Sequence, residues 1–247
     1  MIRQAIGSVI GFIQRQKRNY RVGMTRASAA KFLTNLTSQY SAIYTVGLGA
    51  DTVQLGSLTS IGSAISALIS TPVGWLVDRK GIRRFYLLAI ALMAGSSLLY
   101  GLARDWRFLV AAAIFTSVAT RLTGTGCRVI SADSVKNRDR VTAQQVCGTV
   151  ASVAGLLSPL LAAYLVTRFG GMNLEGIRPL YYVQFAGYGL VFVMVALQLR
   201  EPKRKLLVGS KSRFGFFADF RPLLQKNRGL WRWIVISTVS ALPMAMF

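Results

Sequence analysis

The chain contains no histidine, only eight aspartates and glutamates, and two cysteines among its 247 residues. Without histidine there is no imidazole for a Ser-His or Cys-His nucleophilic pair and none for a zinc site. Cys127 and Cys147 are too few for a zinc cluster or a disulfide framework. These shortages exclude the common hydrolases and metalloenzymes, and we expect no enzymatic activity, no metal and no cofactor.

Positive charge, in contrast, is abundant, because 30 lysines and arginines give a net charge of +22. Yet 53% of the residues are hydrophobic and the mean hydropathy is +0.44. Soluble domains carry about 25% charged residues, whereas this chain carries 15%. The basic residues are divided among long apolar runs and do not form the patch of a small nucleic-acid reader. We therefore expect a protein of the lipid bilayer that binds no nucleic acid.

Six apolar runs each approach the roughly 20 residues that cross a bilayer. We predict spans at 28–49, 52–76, 84–103, 108–131, 141–167 and 179–199, and an incomplete seventh span at 230–247. The predicted fold class is all-α, a polytopic membrane helical bundle at 28–199. Residues 1–27 are predicted to form a cytoplasmic basic amphipathic helix on the membrane or, alternatively, a frayed tail. Residues 200–229 are predicted to form a cytoplasmic linker.

The distribution of lysine and arginine predicts the orientation of the chain. With six spans, 25 of the 30 basic residues fall on the side of the N-terminus and the linker, and four fall on the other side. The remaining one, Arg121, lies inside a span. The positive-inside rule places the basic side in the cytoplasm. We expect a multi-pass protein of the plasma (cell) membrane with a cytoplasmic N-terminus.

The loop after span two carries the most specific motif. It reads Gly74-Trp-Leu-Val-Asp78-Arg79-Lys80-Gly81-Ile82-Arg83-Arg84. This resembles the loop signature of the major facilitator superfamily (MFS): glycine, three residues, aspartate, arginine, any residue, glycine, then basic residues. Ile82 departs from the pattern, because many members carry a basic residue there. The resemblance covers the whole chain. It implies the N-terminal half of a twelve-span transporter, built from two inverted three-helix repeats, with the central linker and the start of the seventh span.

In that superfamily the loop aspartate caps a helix of the opposite half and stabilises the outward-facing state. The resemblance therefore implies a gating role for six loop residues, Gly74, Asp78, Arg79, Gly81, Arg83 and Arg84. Asp133, at the inner end of span four, could pair with Arg79 or Arg83. The alternative is a basic cluster that only sets the topology of the chain.

Polar side chains within spans one and four are candidate substrate contacts. Asn35 and Gln39 would lack hydrogen-bond partners in lipid, so we expect them to face the bundle interior or a wet cavity. With Tyr40 they lie on span one, which lines the central cavity in the resembling superfamily. Arg121 is the only cation well inside a span, where an arginine costs about 2.5–3.5 kcal/mol. The alternatives are that the amides only join helices and that Arg121 reaches a carbonyl or the membrane edge.

The residues and the resemblance together predict a secondary transporter, a permease for uptake or efflux of a small solute by alternating access. Its expected partners are the small-molecule substrate, the lipid bilayer and the C-terminal half of the transporter. Coupling to a proton or ion stays open, because no carboxylate lies deep in a span. Arg121 favours an anionic or neutral substrate. The second hypothesis is a non-transporting membrane scaffold or regulator that acts through the basic 200–232 segment.

Overall fold

The computed structural model describes residues 11–80, 82–135, 137–199 and Ile236, and only the backbone of residues 71, 74–80, 82 and 125–134. This part of the chain is helical and contains α1 (Arg18–Ser38), α2 (Ser41–Gly47), α3 (Thr52–Lys80), α4 (Ile82–Leu102), α5 (Arg107–Ser134), α6 (Arg140–Leu156), α7 (Ser158–Arg168) and α8 (Leu174–Gln198). A short 3-10 turn, Asn137–Asp139, joins α5 to α6. The predicted linker and, apart from Ile236, the predicted seventh span lie outside the described residues.

The helices follow the six predicted spans, and two of those spans are each built from two helices. Span one divides at Gln39 and Tyr40, between α1 and α2. Span five divides at Leu157, and Pro159 occupies the first turn of α7. A proline is tolerated in a first turn because its missing amide hydrogen would have no helical partner there. The two helices of span five therefore meet next to this proline.

Four segments of the described residues are long and apolar enough to cross a membrane, judged by length and composition. They are Thr52–Ser70, Arg83–Leu102, Asn137–Arg168 and Leu174–Gln198. The outside of the bundle is correspondingly apolar, because Leu156, Leu160, Leu190 and Leu197 are each more than 70% exposed. Large apolar side chains in such numbers are typical of a surface that contacts lipid.

The packing of the helices repeats in two inverted halves. Helix α1 of the first half packs on α6 and α8 of the second half, and α5 of the second half packs on α3 and α4 of the first half. Helices α4 and α8 pack on each other. Spans one to six correspond to α1–α2, α3, α4, α5, α6–α7 and α8. If span one is exchanged with four, two with five and three with six, the same pairs of spans remain in contact. The prediction of an all-α bundle built from two inverted three-helix repeats is confirmed.

Two arginines join α4 and α8 in matching contacts at opposite ends. Arg178, near the start of α8, donates a 2.7 Å hydrogen bond from Nη2 to the carbonyl oxygen of Ala103, which follows α4. Arg83, at the start of α4, donates a 2.7 Å bond to the carbonyl oxygen of Ala196 near the end of α8. Carbonyls at a helix C-terminus lack helical partners and carry partial negative charge, so cations stabilise them. The two repeats are therefore held together at both ends.

Helix α1 begins ten residues before the start of the predicted first span. Residues 18–27, which the sequence places on the membrane surface, continue α1 into the bundle and bury Tyr20, Val22 and Arg26. The Tyr20 hydroxyl donates a 2.7 Å hydrogen bond to the carbonyl oxygen of Ala143 on α6. Arg18 and Arg21 stay exposed. The basic residues of this segment are thus divided between solvent and the bundle interior.

A substitution at Gly176 tests a close backbone approach at the start of α8. A Cβ atom there would overlap the carbonyl oxygen of Gly171, which accepts a 2.8 Å hydrogen bond from the Asn173 amide. Because neither backbone segment can move freely, Gly176→Ala is expected to cost about 1–3 kcal/mol of stability. The measurement is the unfolding midpoint of the purified protein by scanning fluorimetry.

Gly189→Ala is the matched control, because it makes the same change in the same helix and meets no atom within 4 Å. This control should keep the parental midpoint or raise it slightly, since alanine favours helix over glycine. Equal midpoints for the two variants would show that the α8 start tolerates a side chain and that the packing described here is wrong.

Candidate functional site

One cavity of about 550 Å³ opens among α2, α3, α4 and α5, and we call it the hydroxyl cavity. Its lining is dominated by small and hydroxyl-bearing side chains, namely Ser41, Ala42, Thr45, Leu55, Leu58, Thr59, Gly62, Ser63, Ser66, Tyr100, Ala113, Thr116, Ser117, Thr120 and Arg121. On α3 the polar members recur at intervals of three and four residues, which places them on one helical face. This segment was predicted as an apolar span, yet this face of it carries hydroxyl groups.

Arg121 supplies the charge of the hydroxyl cavity. It lies on α5, where its side chain is exposed and lines the cavity with Ser117 and Thr120. A cation within a membrane span is expected to face protein or water rather than lipid. The structure therefore places Arg121 at a cavity lined by hydroxyl groups, and its contact with a substrate stays a prediction.

The hydroxyl groups around Arg121 are mostly bonded to their own helices. Thr120 Oγ1 donates to the Thr116 carbonyl at 2.7 Å, and Ser63 Oγ donates to the Thr59 carbonyl at 2.9 Å. Thr59 Oγ1 in turn donates to the Gly56 carbonyl at 2.8 Å. A hydroxyl that donates in this way still has lone pairs that accept hydrogen bonds. The cavity thus combines hydrogen-bond acceptors with one strong cationic donor.

The three candidates on span one occupy different surroundings. Asn35 is half-buried, and its Nδ2 donates a 3.3 Å hydrogen bond to the Gly155 carbonyl on α6. Gly155 makes room for this contact, because a Cβ atom there would lie 2.7 Å from Asn35 Nδ2. Gln39 is exposed just after α1, and Tyr40 packs against the apolar cluster around Leu36 and Leu109. In Asn35 the structure shows the helix-joining contact that was one of the two predicted alternatives.

A second cavity of about 520 Å³ lies among α1, α4, α5 and α8, and we call it the Arg26 cavity. It is lined by Arg26, Ala27, Ala30, Lys31, Thr34, Thr37, Ser38, Ser41, Met93, Ser96, Ser97, Tyr100, Thr116, Thr120, Thr123, Gly124, Ala151, Tyr181, Gln184 and Tyr188. Ser41, Tyr100, Thr116 and Thr120 line both cavities. The two cavities therefore meet along α5.

Hydrogen bonds between helices fix the polar walls of the Arg26 cavity. The Thr34 and Tyr188 hydroxyls lie 3.0 Å apart, and Thr37 Oγ1 donates to Gln184 Oε1 at 3.3 Å. The Ser96 hydroxyl lies 2.7 Å from Thr116 Oγ1. These bonds satisfy hydroxyl and amide groups that would be costly to bury alone. Sequence reasoning did not select these residues, because single threonines and serines hardly alter the hydropathy of a span.

Arg26 was also missed, because its sequence neighbours assign it to the basic N-terminus. Its side chain is only 4% exposed. Nη2 donates a 3.0 Å hydrogen bond to Thr123 Oγ1 on α5, and the guanidinium carbon lies 4.8 Å from the centre of the Tyr86 ring on α4. Such a contact with an aromatic face attracts a cation electrostatically.

The predicted gating loop is partly described. Gly74–Lys80 form the last turns of α3, and α4 begins at Ile82, so the two helices are separated by a single residue, Gly81, which lies outside the described residues. Arg83 contacts the Ala196 carbonyl, and Arg84 is exposed. The side chains of Asp78, Arg79 and Asp133 also lie outside the described residues, so their predicted pairing stays a prediction.

The family model described as Major Facilitator Superfamily matches residues 23–247. The chain belongs to the Major Facilitator Superfamily. This membership confirms the resemblance carried by the loop motif. The MFS assignment also agrees with the four apolar segments, and the chain is a multi-pass membrane protein.

Solved structures of transporters share the MFS fold of this chain. A bacterial homolog of the human lysosomal transporter Spinster, inward-facing and unoccupied, is 17% identical with a TM-score of 0.56; the match covers 83% of this chain and 47% of that one. A POT family transporter in complex with a thioalcohol-conjugated peptide is 15% identical with a TM-score of 0.58, over 93% and 47% of the two chains.

A further POT family structure, in complex with 5-aminolevulinic acid, is 17% identical with a TM-score of 0.56, over 93% of this chain and 47% of that one. The MFS chain described here therefore spans about half the length of these solved relatives. A comparison with curated proteins finds no match.

Proposed function

We propose that the chain forms the N-terminal half of a secondary transporter that moves a small solute by alternating access. The observation that carries this proposal is the hydroxyl cavity, which holds hydroxyl side chains and one cation in a bundle whose outer surface is apolar. A passive anchor has no need of such a wall, because buried polar surface costs free energy. MFS membership and the fold shared with solved transporters support the proposal.

The chemistry of the hydroxyl cavity favours an anionic or neutral solute that also carries hydrogen-bond donors. Arg121 offers charged N–H donors to a carboxylate, phosphate or carbonyl oxygen. Thr120 and Ser63, already donating to their own helices, offer acceptors to hydroxyl or amine groups of the solute. None of the described residues that line this cavity is acidic, so they offer no opposite charge to a cationic solute.

The solved relatives agree with a small polar solute. One POT family transporter binds a peptide conjugate and another binds 5-aminolevulinic acid. The second of these ligands pairs a carboxylate with an amine. A solute of that general kind would match the cation and the acceptors of the hydroxyl cavity, with the C-terminal half supplying the facing wall.

Alternating access requires two states, and we assign the switch to the loop between α3 and α4. Its aspartate, Asp78, lies in the last turns of α3 at the basic side of the bundle. A charged contact to the second half would stabilise one state over the other. We place the N-terminus and this loop in the cytoplasm and the protein in the plasma membrane, following the distribution of basic residues.

The test is solute flux into vesicles containing protein purified from its native membranes. Labelled carboxylates, phosphate esters and neutral amino or hydroxyl compounds would be offered to loaded and empty vesicles. We expect saturable, protein-dependent accumulation of at least one anionic or neutral compound. The absence of saturable flux for the whole panel, with correctly folded protein, would favour a scaffold or regulator that acts through the basic 200–232 segment.

A further inference from the structure

Arg26 is the one charged side chain that is buried among the residues whose exposure the structure describes. It lies within α1, and its guanidinium reaches toward α4 and α5 in the Arg26 cavity. An arginine side chain keeps its positive charge in proteins. The bundle therefore holds a permanent positive charge away from bulk water.

The contacts of Arg26 use few of its hydrogen-bond donors and do not neutralise its charge. A guanidinium has five N–H donors, and the structure shows one hydrogen bond, to Thr123, and one aromatic face, that of Tyr86. Nε is buried without a hydrogen-bond partner. A hydroxyl and a ring do not neutralise a cation, and a buried charge that lacks a counter-charge is strongly disfavoured.

The surroundings of Arg26 leave space for the missing counter-charge. Arg26 lines a cavity of about 520 Å³, which is large enough for a small organic molecule. Lys31 lines the same cavity and adds a second positive charge. None of the described lining residues is a carboxylate. The Thr34–Tyr188 hydroxyl pair supplies further polar atoms on the same wall.

We propose that Arg26 binds an oxyanion, the carboxylate or phosphate group of a small molecule, in the Arg26 cavity. The planar guanidinium offers two parallel N–H donors to two oxygens of such a group, and Nε provides an unused donor for this geometry. This subsite differs from the hydroxyl cavity around Arg121, although the two cavities meet along α5. Anion binding at Arg26 does not require transport, so it is tested without flux.

The alternative role for Arg26 is a structural link from α1 to Thr123 on α5. The two roles make opposite predictions for stability. If Arg26 is an anion-binding residue, its replacement should leave the unfolding midpoint in chloride buffer unchanged or raise it. The replacement removes a buried charge that no counter-charge neutralises. If Arg26 is a structural link, its removal should lower that midpoint, and oxyanions should not change the difference.

The experiment measures equilibrium binding of inorganic phosphate and of acetate to the purified full chain at matched ionic strength. Radiolabelled anion in a scintillation-proximity assay gives binding, and scanning fluorimetry gives the unfolding midpoint. The parent protein should bind at least one of the two anions saturably, with a rising midpoint. Preference for phosphate or acetate distinguishes a phosphate ligand from a carboxylate ligand.

Three variants are compared in an Arg121→Gln background, which removes the cation of the hydroxyl cavity. In this background Arg26→Gln should lose saturable binding, and Arg26→Lys should weaken it about ten-fold or more, because lysine keeps the charge but lacks the planar fork. Arg21→Gln is the matched control on the same helix, where Arg21 is exposed, and should bind as the parent does. If Arg26→Gln fails to fold, Arg26→Lys still decides the question. Parental binding by the folded Arg26 variants, or no saturable binding of either anion by the parent, would overturn the proposal.

Discussion

Arg121→Ala is expected to reduce the initial rate of solute uptake by about 10-fold to 100-fold at low solute concentration. Hydrogen bonds to a charged group contribute about 1.5–3 kcal/mol, and each 1.4 kcal/mol corresponds to a factor of about ten. Arg121 is the one cation that lines the described part of the hydroxyl cavity, so no neighbouring residue there would replace its charge. The measurement is uptake into vesicles, normalised to the amount of inserted protein.

Arg121→Lys separates charge from geometry, because it keeps the cation and removes the planar fork. We expect this variant to lie between the parent and Arg121→Ala. Arg168→Ala, which removes the exposed arginine at the last residue of α7, is the control for a general loss of positive charge and should transport normally. Full transport of every accepted solute by Arg121→Ala would show that Arg121 has no part in solute binding.

Asp78→Asn is expected to reduce uptake by about ten-fold while the protein still inserts and folds. The substitution removes one negative charge from the last turns of α3, next to the start of α4, and keeps the size of the side chain. Coupling between conformational states is typically about 1–3 kcal/mol, which sets the expected size of the effect. The measurement compares uptake with the elution profile and unfolding midpoint of the same preparation.

Asp51→Asn is the matched control for Asp78→Asn. Asp51 lies directly before the first residue of α3, at the end of this helix opposite to Asp78. Its carboxylate accepts a 2.7 Å hydrogen bond from the Thr52 amide. Asparagine serves equally well at a helix start, so uptake should be unchanged. If Asp78→Asn took up solute at the parental rate, the basic loop would serve only to set the orientation of the chain in the membrane.

The sequence predicted the fold well because hydropathy reports it directly. Long apolar runs predict α3, α4, α6–α7 and α8. The structure shows helical segments there that are long and apolar enough to cross a membrane. The break before α7 has a local signal in the sequence, Pro159. The break between α1 and α2 has no comparable signal, since Gln39 and Tyr40 are both compatible with a helix.

The candidate site was harder to predict, because it depends on contacts between distant residues. Arg121 stood out as a cation within an apolar run. Arg26 did not, since its burial depends on Tyr86 and on Thr123, 97 residues away. The amide of Asn35 did find a partner inside the protein, as predicted, but that partner is the Gly155 backbone. Most residues that line the two cavities carry a hydroxyl group, and such residues barely change hydropathy.

The central claim is that the hydroxyl cavity is exposed alternately to the two sides of the membrane. Ser63→Cys places a thiol in this cavity, in a background where Cys127 and Cys147 are replaced by serine. Leu190→Cys places a thiol on the apolar outer surface, where the leucine is 72% exposed, as the control that should react from neither side.

A membrane-impermeant thiol reagent is applied from the outside of sealed cells or from the inside of inverted vesicles. The account predicts that Ser63→Cys reacts from both sides, and that Asp78→Asn shifts the balance between them. Reaction from one side only, in both the parent and the Asp78→Asn background, would contradict alternating access at this cavity.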